Sequence, residues 1–259
     1  MKRLLCCACA AFALASVPSI AAASSWDGTW KLDAAKSKLT GDTYTIEAMG
    51  NGMMRYSNGS TIAYDFACDG KAYPVIADRT MTCTGSPSAG YSYVDKAGDK
   101  VIGRSHDTLS ADNKTLTTHG TDIRPDGTTS DYTQVYKRVS GTTGLVGKWM
   151  SVKSEGATDT MAIQTKGNWI KIYSPDYKET IQGNMDGSAL PVTGPTIPPG
   201  VTESIKAEGP NKIHFAVKYK DKVLVEGTRT VSADGKTLVE ENWVPGKMNE
   251  KSTLVYERQ

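Results

Sequence analysis

Residues Thr108–Leu116 read TLSADNKTL, and Thr230–Leu238 read TVSADGKTL. The two copies lie 122 positions apart in a chain of 259 residues. Apolar–polar alternation on both sides predicts a β-hairpin. Its three-residue loop would be Ala233-Asp234-Gly235, with Gly235 in the left-handed position and Asn113 taking that place in the other copy. The phrase is turn chemistry and says nothing by itself about catalysis. Its recurrence reports shared architecture.

Other phrases repeat in the same order. GTWKLD begins at Gly28 and GKWMSV at Gly147; DGKAYPV begins at Asp69 and DGSALPV at Asp186. DKVIG begins at Asp99 and DKVLV at Asp221; QVYKR begins at Gln134 and LVYER at Leu254. The offsets run from 117 to 122. Order and spacing held together indicate a tandem duplication of a unit of roughly 115 residues. The expected division is a leader over 1–23, a first barrel over 24–139, a small polar linker SGTTG over 140–144, and a second barrel over 145–259.

Period-two alternation runs through both units. Tyr44, Ile46 and Ala48 share one face, as do Ile62, Tyr64, Phe66 and Cys68. Ile213, Phe215, Val217 and Tyr219 share another, with His214 and Lys218 turned away. Turn signals such as GNG, CDGK, AGDK and PDGT recur every 8–12 residues. The expected fold is all-β: two tandem antiparallel up-and-down barrels of about eight to ten strands each. At that strand number the interior either fills with side chains or admits one small ligand. The strands are too short, and their outer faces too rich in Lys, Asp and Thr, for an outer-membrane barrel.

The first residues, MKRLLCCACAAFALASVPSIAAASS, place two cations before an apolar run that ends in Ala21-Ala22-Ala23. This pattern is that of a secretory signal peptide cut after Ala23, so the mature chain is expected to be exported, periplasmic or extracellular. Cleavage removes Lys2 and Arg3, and 30 basic against 28 acidic residues become 28 against 28. With no basic cluster, nucleic-acid binding is not expected. No later segment could span a membrane as a helix. Two cysteines remain, Cys68 and Cys83, and in an oxidising compartment such a pair is expected to form a disulfide. They have no CxxC-type spacing, so neither a metal site nor a cofactor is expected.

Gly-x-Trp on the first strand, an antiparallel meander and Tyr-x-Arg on the last strand together resemble the calycins. This group includes the lipocalins and the fatty-acid-binding proteins. GTWKLD and STLVYER look most like the first and last strands of the latter. The resemblance implies that Trp30 and Trp149 close the barrel floors and that Arg138 and Arg258 pack over them. It also implies a ligand held by Arg-x-Tyr on the last strand. The Tyr stands here as Tyr136 and Tyr256, whereas the Arg position holds Gln134 and Leu254.

The first unit is rich in Tyr, whose hydroxyl needs a partner when buried. Tyr44, Tyr56, Tyr64, Tyr93, His119, Gln134 and Tyr136 are the candidate lining of a ligand cavity. A missing Arg beside Tyr136 favours a small, mostly apolar and neutral ligand, lipid-like or aromatic, over a free fatty acid. An alternative is an isomerase-, cyclase- or hydratase-like enzyme of the tandem-lipocalin kind, acting on a hydrophobic substrate. If Leu109 pairs with Thr115, then Ser105, Asp107 and His119 share a face and offer it acid–base groups. The same register gives the second unit an Arg229–Glu241 ion pair. A third reading is a structural or stress-related envelope protein without a ligand. The Pro-rich loop VTGPTIPPG, Val192–Gly200, caps a barrel mouth, makes an inter-barrel contact, or is a stiff surface loop.

Overall fold

A computed structural model describes residues 25–259; the expected leader lies outside them. After the short strand β1 (Gly28–Leu32), ten strands follow in unbroken order: β2 (Thr43–Gly50), β3 (Met53–Ser57), β4 (Ala63–Phe66), β5 (Asp69–Ile76), β6 (Arg79–Ser86), β7 (Gly90–Ala97), β8 (Lys100–Leu109), β9 (Thr115–Ile123), β10 (Thr129–Ser140) and β11 (Gly147–Glu155). Nine more complete the chain: β12 (Thr160–Lys166), β13 (Trp169–Ser174), β14 (Glu179–Asn184), β15 (Asp186–Pro191), β16 (Val201–Gly209), β17 (Lys212–Tyr219), β18 (Lys222–Val231), β19 (Thr237–Trp243) and β20 (Ser252–Arg258). All pairs are antiparallel, and they form two nearly closed, ten-stranded barrels. No helix among the described residues is long and apolar enough to cross a membrane.

The barrels do not coincide with the repeats. The first runs β4-β3-β2-β11-β10-β9-β8-β7-β6-β5, and the second β14-β13-β12-β1-β20-β19-β18-β17-β16-β15. Each therefore takes one strand from the other copy, which corrects the expected division into barrels at 24–139 and 145–259. The cause is local. Only residues 141–146 separate β10 from β11, and so short a connection makes the two strands antiparallel neighbours. They pair from Ser140↔Lys148 to Thr133↔Glu155. The free edge of β11 then takes β2, with Trp149 opposite Tyr44. Because that slot is filled, β1 closes the second barrel between β12 and β20, with Trp30 opposite Met161 and Arg258.

Two arginine clamps hold these closing strands. Arg138 lies 4.1 Å from the ring centroid of Trp149, and Arg258 lies 4.4 Å from that of Trp30. Arg138 donates to the carbonyls of Asn113 and Val146 at 2.6 and 2.7 Å, and to that of Gly144. Arg258 donates to the carbonyls of Gly235 (2.6 Å), Asp27 and Ser25. The left-handed residue of each repeated turn thus feeds its carbonyl to the arginine of its own barrel. The linker at 140–144, flexible in composition, is pinned by the same arginine.

The repeated turn is one residue longer than its sequence suggests. Ser110 N–H donates to the Thr115 carbonyl at 2.9 Å, and Asn113 N–H donates to the Ser110 carbonyl at 2.8 Å. Ser110 and Asp112 side chains accept from the amides of Thr115 and Lys114 at 2.9 and 3.0 Å. These side-chain bonds stabilise a four-residue loop, Ala111–Lys114. The consequence is a register in which Leu109 faces Leu116, not Thr115.

The disulfide between Cys68 and Cys83 is present. It ties the corner between β4 and β5, the one break in the first barrel's pairing, to β6. In the second barrel Met185 and Ile205 occupy the matching positions and are buried in its core. The Pro-rich loop reaches the other barrel: Arg79 donates to the Thr196 carbonyl at 3.4 Å. It is an inter-barrel contact.

Candidate functional site

Strand register maps one barrel onto the other, residue for residue. In the second barrel, Trp30, Met161, Ile163, Ile170, Ile172, Phe215 and their neighbours form a continuous buried cluster. Buried in the same barrel lies Arg229, 7% exposed, bonded to Glu240 at 2.6 Å and Glu203 at 2.7 Å, with its guanidinium 4.1 Å from the ring centroid of Phe215. The ion pair expected with Glu241 is instead made with Glu240, by the same one-residue shift that the longer turn imposes.

The first barrel carries different chemistry at these positions. Tyr44 stands where the second barrel has Met161, each opposite its tryptophan. Tyr56 replaces Ile172, Tyr64 replaces Ile181, Tyr93 replaces Phe215 and Gln134 replaces Leu254. Asp107 replaces Arg229, and Thr118 replaces Glu240. These residues line a cavity of about 260 Å³ that opens to solvent, together with Asp42, Asp95, Ser105, Tyr132 and Tyr136.

One wall is a stack of rings. Tyr44 meets Tyr56 at 5.4 Å between centroids and Tyr136 edge-on at 5.2 Å, while Tyr56 stacks on Tyr64 at 4.9 Å. Burial pushes the phenol of Tyr44 well above its usual range, that of Tyr56 up to about 12, and that of Tyr64 up as well. Among the described residues, the hydroxyls of these three make no hydrogen bond with protein. All three residues line the cavity. Tyr136 donates to Gln134 on the next inward position of the same strand.

The facing wall is acidic. Asp107, 8% exposed, accepts a hydrogen bond from Thr118, and the Tyr93 phenol also favours its charged form. Burial raises its carboxyl, and those two groups pull it part of the way back. Asp95 is also raised by burial, with Arg79 opposing from outside the cavity. Asp42 accepts from Ser151 of the borrowed strand β11. None of the cavity-lining residues is Lys, Arg or His.

Of the expected ligand-contacting residues, Tyr44, Tyr56, Tyr64, Tyr93, Gln134 and Tyr136 line the cavity. His119 does not. In the observed register it is opposite His106 on the outer face, where its Nδ1 lies 3.0 Å from Thr133 Oγ1. Ser105 and Asp107 face inward, so Ser105, Asp107 and His119 do not form one constellation, and the acid–base cluster expected for an enzyme is not assembled. Tyr132, Asp42 and Asp95 were missed. Alternation pointed to two of them: Tyr132 precedes Gln134 and Tyr136 by steps of two, and Asp95 follows Tyr91 and Tyr93 in the same way.

Tyr132 and Gln134 also border an adjoining hollow of about 320 Å³ that includes Asp122, Ser130, Ser154 and Thr158. The Tyr132 ring lies across Gly120 on β9, where a Cβ would stand 2.1 Å from it. Gly120 is therefore the seat of the ring that parts cavity from hollow.

No family model, curated protein or solved structure matches the chain.

Proposed function

We propose that the protein is an exported binding protein whose first barrel holds one small molecule with a mostly apolar or aromatic body and no negative charge. One observation carries the reading. At the inward positions where one copy of the duplicated unit has Met161, Ile172 and Ile181, the other has Tyr44, Tyr56 and Tyr64 around a cavity. A barrel needed only for its shape is served better by the aliphatic set, because each buried phenol must find a partner. Hydroxyls without protein partners, on residues that line a cavity, suit a ligand that supplies them. The calycin resemblance points to the same use of a barrel interior. A carboxylate ligand is disfavoured, since it would enter beside Asp42, Asp95 and Asp107 with no cation to receive it.

Calorimetry on the full mature chain tests this with 3-phenylpropanol and 3-phenylpropanoate. The alcohol is expected to bind and the acid to bind at least about tenfold more weakly. Tighter binding of the acid overturns the reading, and so does failure of every neutral or cationic phenylpropyl probe to bind. Failure of all of them would favour a structural role in the cell envelope.

A further inference from the structure

Both barrels keep carboxylates in their interiors, and each has a floor arginine, Arg138 or Arg258, over its tryptophan; among the described residues only the second barrel also has a cation bonded to its interior carboxylates. In the second barrel, Arg229 lies between Glu203 and Glu240 over the ring of Phe215. The register places Asp107 at the Arg229 position of the first barrel and Tyr93 at the Phe215 position. The internal guanidinium has thus been exchanged for a carboxylate. Both Asp107 and Tyr93 line the cavity.

We propose that the first barrel binds an organic cation, an amine, amidine or guanidinium on a small apolar or aromatic body, with its charged head at Asp107. The inference rests on the binding role proposed above and sets the sign of the ligand's charge. A head group at that point completes what the protein leaves open. Asp107 accepts from one neutral donor, Thr118, with the Tyr93 phenol beside it, and a carboxylate has acceptor capacity for more. Its nearest imidazole, His106, is on the outer face of the same strand, bonded to Ser92 at 2.9 Å, and cannot enter the cavity. Asp95 lies in the same lining, and Arg79, the cation acting on it, faces a separate hollow beside Ile102 and Glu179. Tyr44, Tyr56 and Tyr64 line the same cavity and carry hydroxyls able to accept from the remaining N–H donors, and Tyr93 stands at the register position of Phe215, whose ring receives Arg229.

The test adds 3-phenylpropylamine to 3-phenylpropanol and 3-phenylpropanoate, titrated into the full mature chain and into Asp107→Asn. The amine is expected to bind at least about tenfold more tightly than the alcohol, and Asp107→Asn is expected to bring that ratio close to one. A nuclear Overhauser contact between the amine's terminal methylene and the Thr118 methyl locates the head without relying on the variant. Equal or tighter binding of the alcohol overturns this inference and leaves the binding role standing. A preference for the amine that survives in Asp107→Asn also overturns it, because the head would then lie elsewhere. If none of the three binds, the binding role fails and the inference fails with it.

Discussion

Arg258 stacks on Trp30, so the last strand of the chain is clamped to the first. The corresponding clamp, Arg138 on Trp149, joins the last strand of one repeat to the first strand of the next. Both tryptophans are fully buried. Truncating such a ring to alanine costs about 3–5 kcal/mol. Trp30→Ala is therefore expected to loosen β12–β20 and leave β2–β11 protected; Trp149→Ala is expected to do the reverse. Hydrogen exchange read strand by strand checks this. Contiguous barrels would give the opposite pattern.

The C-terminal Gln259 amide donates to the Thr29 carbonyl at 2.9 Å, so the chain's end lies beside β1. A permutant that begins at Asp33 and carries residues 25–32 after Gln259, through a linker the length of 141–146, should restore the second barrel as a continuous meander. Its spectra are expected to match those of the parent. Its stability is expected to be at least equal, because joining β1 to β20 shortens the loop that must close. A permutant that fails to form β1–β20 pairing would show the observed strand exchange to be wrong.

The disulfide closes a loop of 15 residues at the break in the first barrel. Cys68→Ser combined with Cys83→Ser is expected to lower stability by about 2–4 kcal/mol in denaturant titrations. Folding should persist, because Met185 and Ile205 hold the same corner in the second barrel without a covalent bond. Global unfolding of the variant would contradict this.

Asp107 gives the first barrel a defined response to pH. Burial raises its folded pKa above the unfolded value of roughly 3.9. The folded state then holds the proton more tightly. This group's contribution to stability is complete below the unfolded value and is lost as pH rises through the folded one. Asp107→Asn resembles the protonated form and removes the buried charge. The variant should be more stable than the parent at about pH 7, with the difference shrinking toward about pH 3. A difference independent of pH would assign the effect to packing.

Much of this was legible in the sequence, for physical reasons that can be named. Alternation in TYTIEA and TIAYDFAC put Tyr44, Tyr64 and Phe66 inward, because side chains on a strand can only alternate. His119 was misplaced by a turn whose Ser110 and Asp112 side chains add a residue to the loop; a slip of one reverses every face after it. The exchange of β1 and β11 was hidden for another reason. Both strands carry the same Gly-x-Trp, and that shared motif does not say which barrel each closes. The length of the connection at 141–146 was the available signal.

GTWKL and GKWMS are spare keys to the same two locks. During synthesis β1 emerges long before either of its partners, β12 or β20, exists. Beside it, β10 and β2 present the slot that β11 will later fill. Early occupation of that slot by β1 would be a competing arrangement, and β11, with its long pairing to β10, would have to displace it. The duplication therefore gives each closing position two candidate strands, and a slow, β1-dependent refolding phase is the expected mark of that competition.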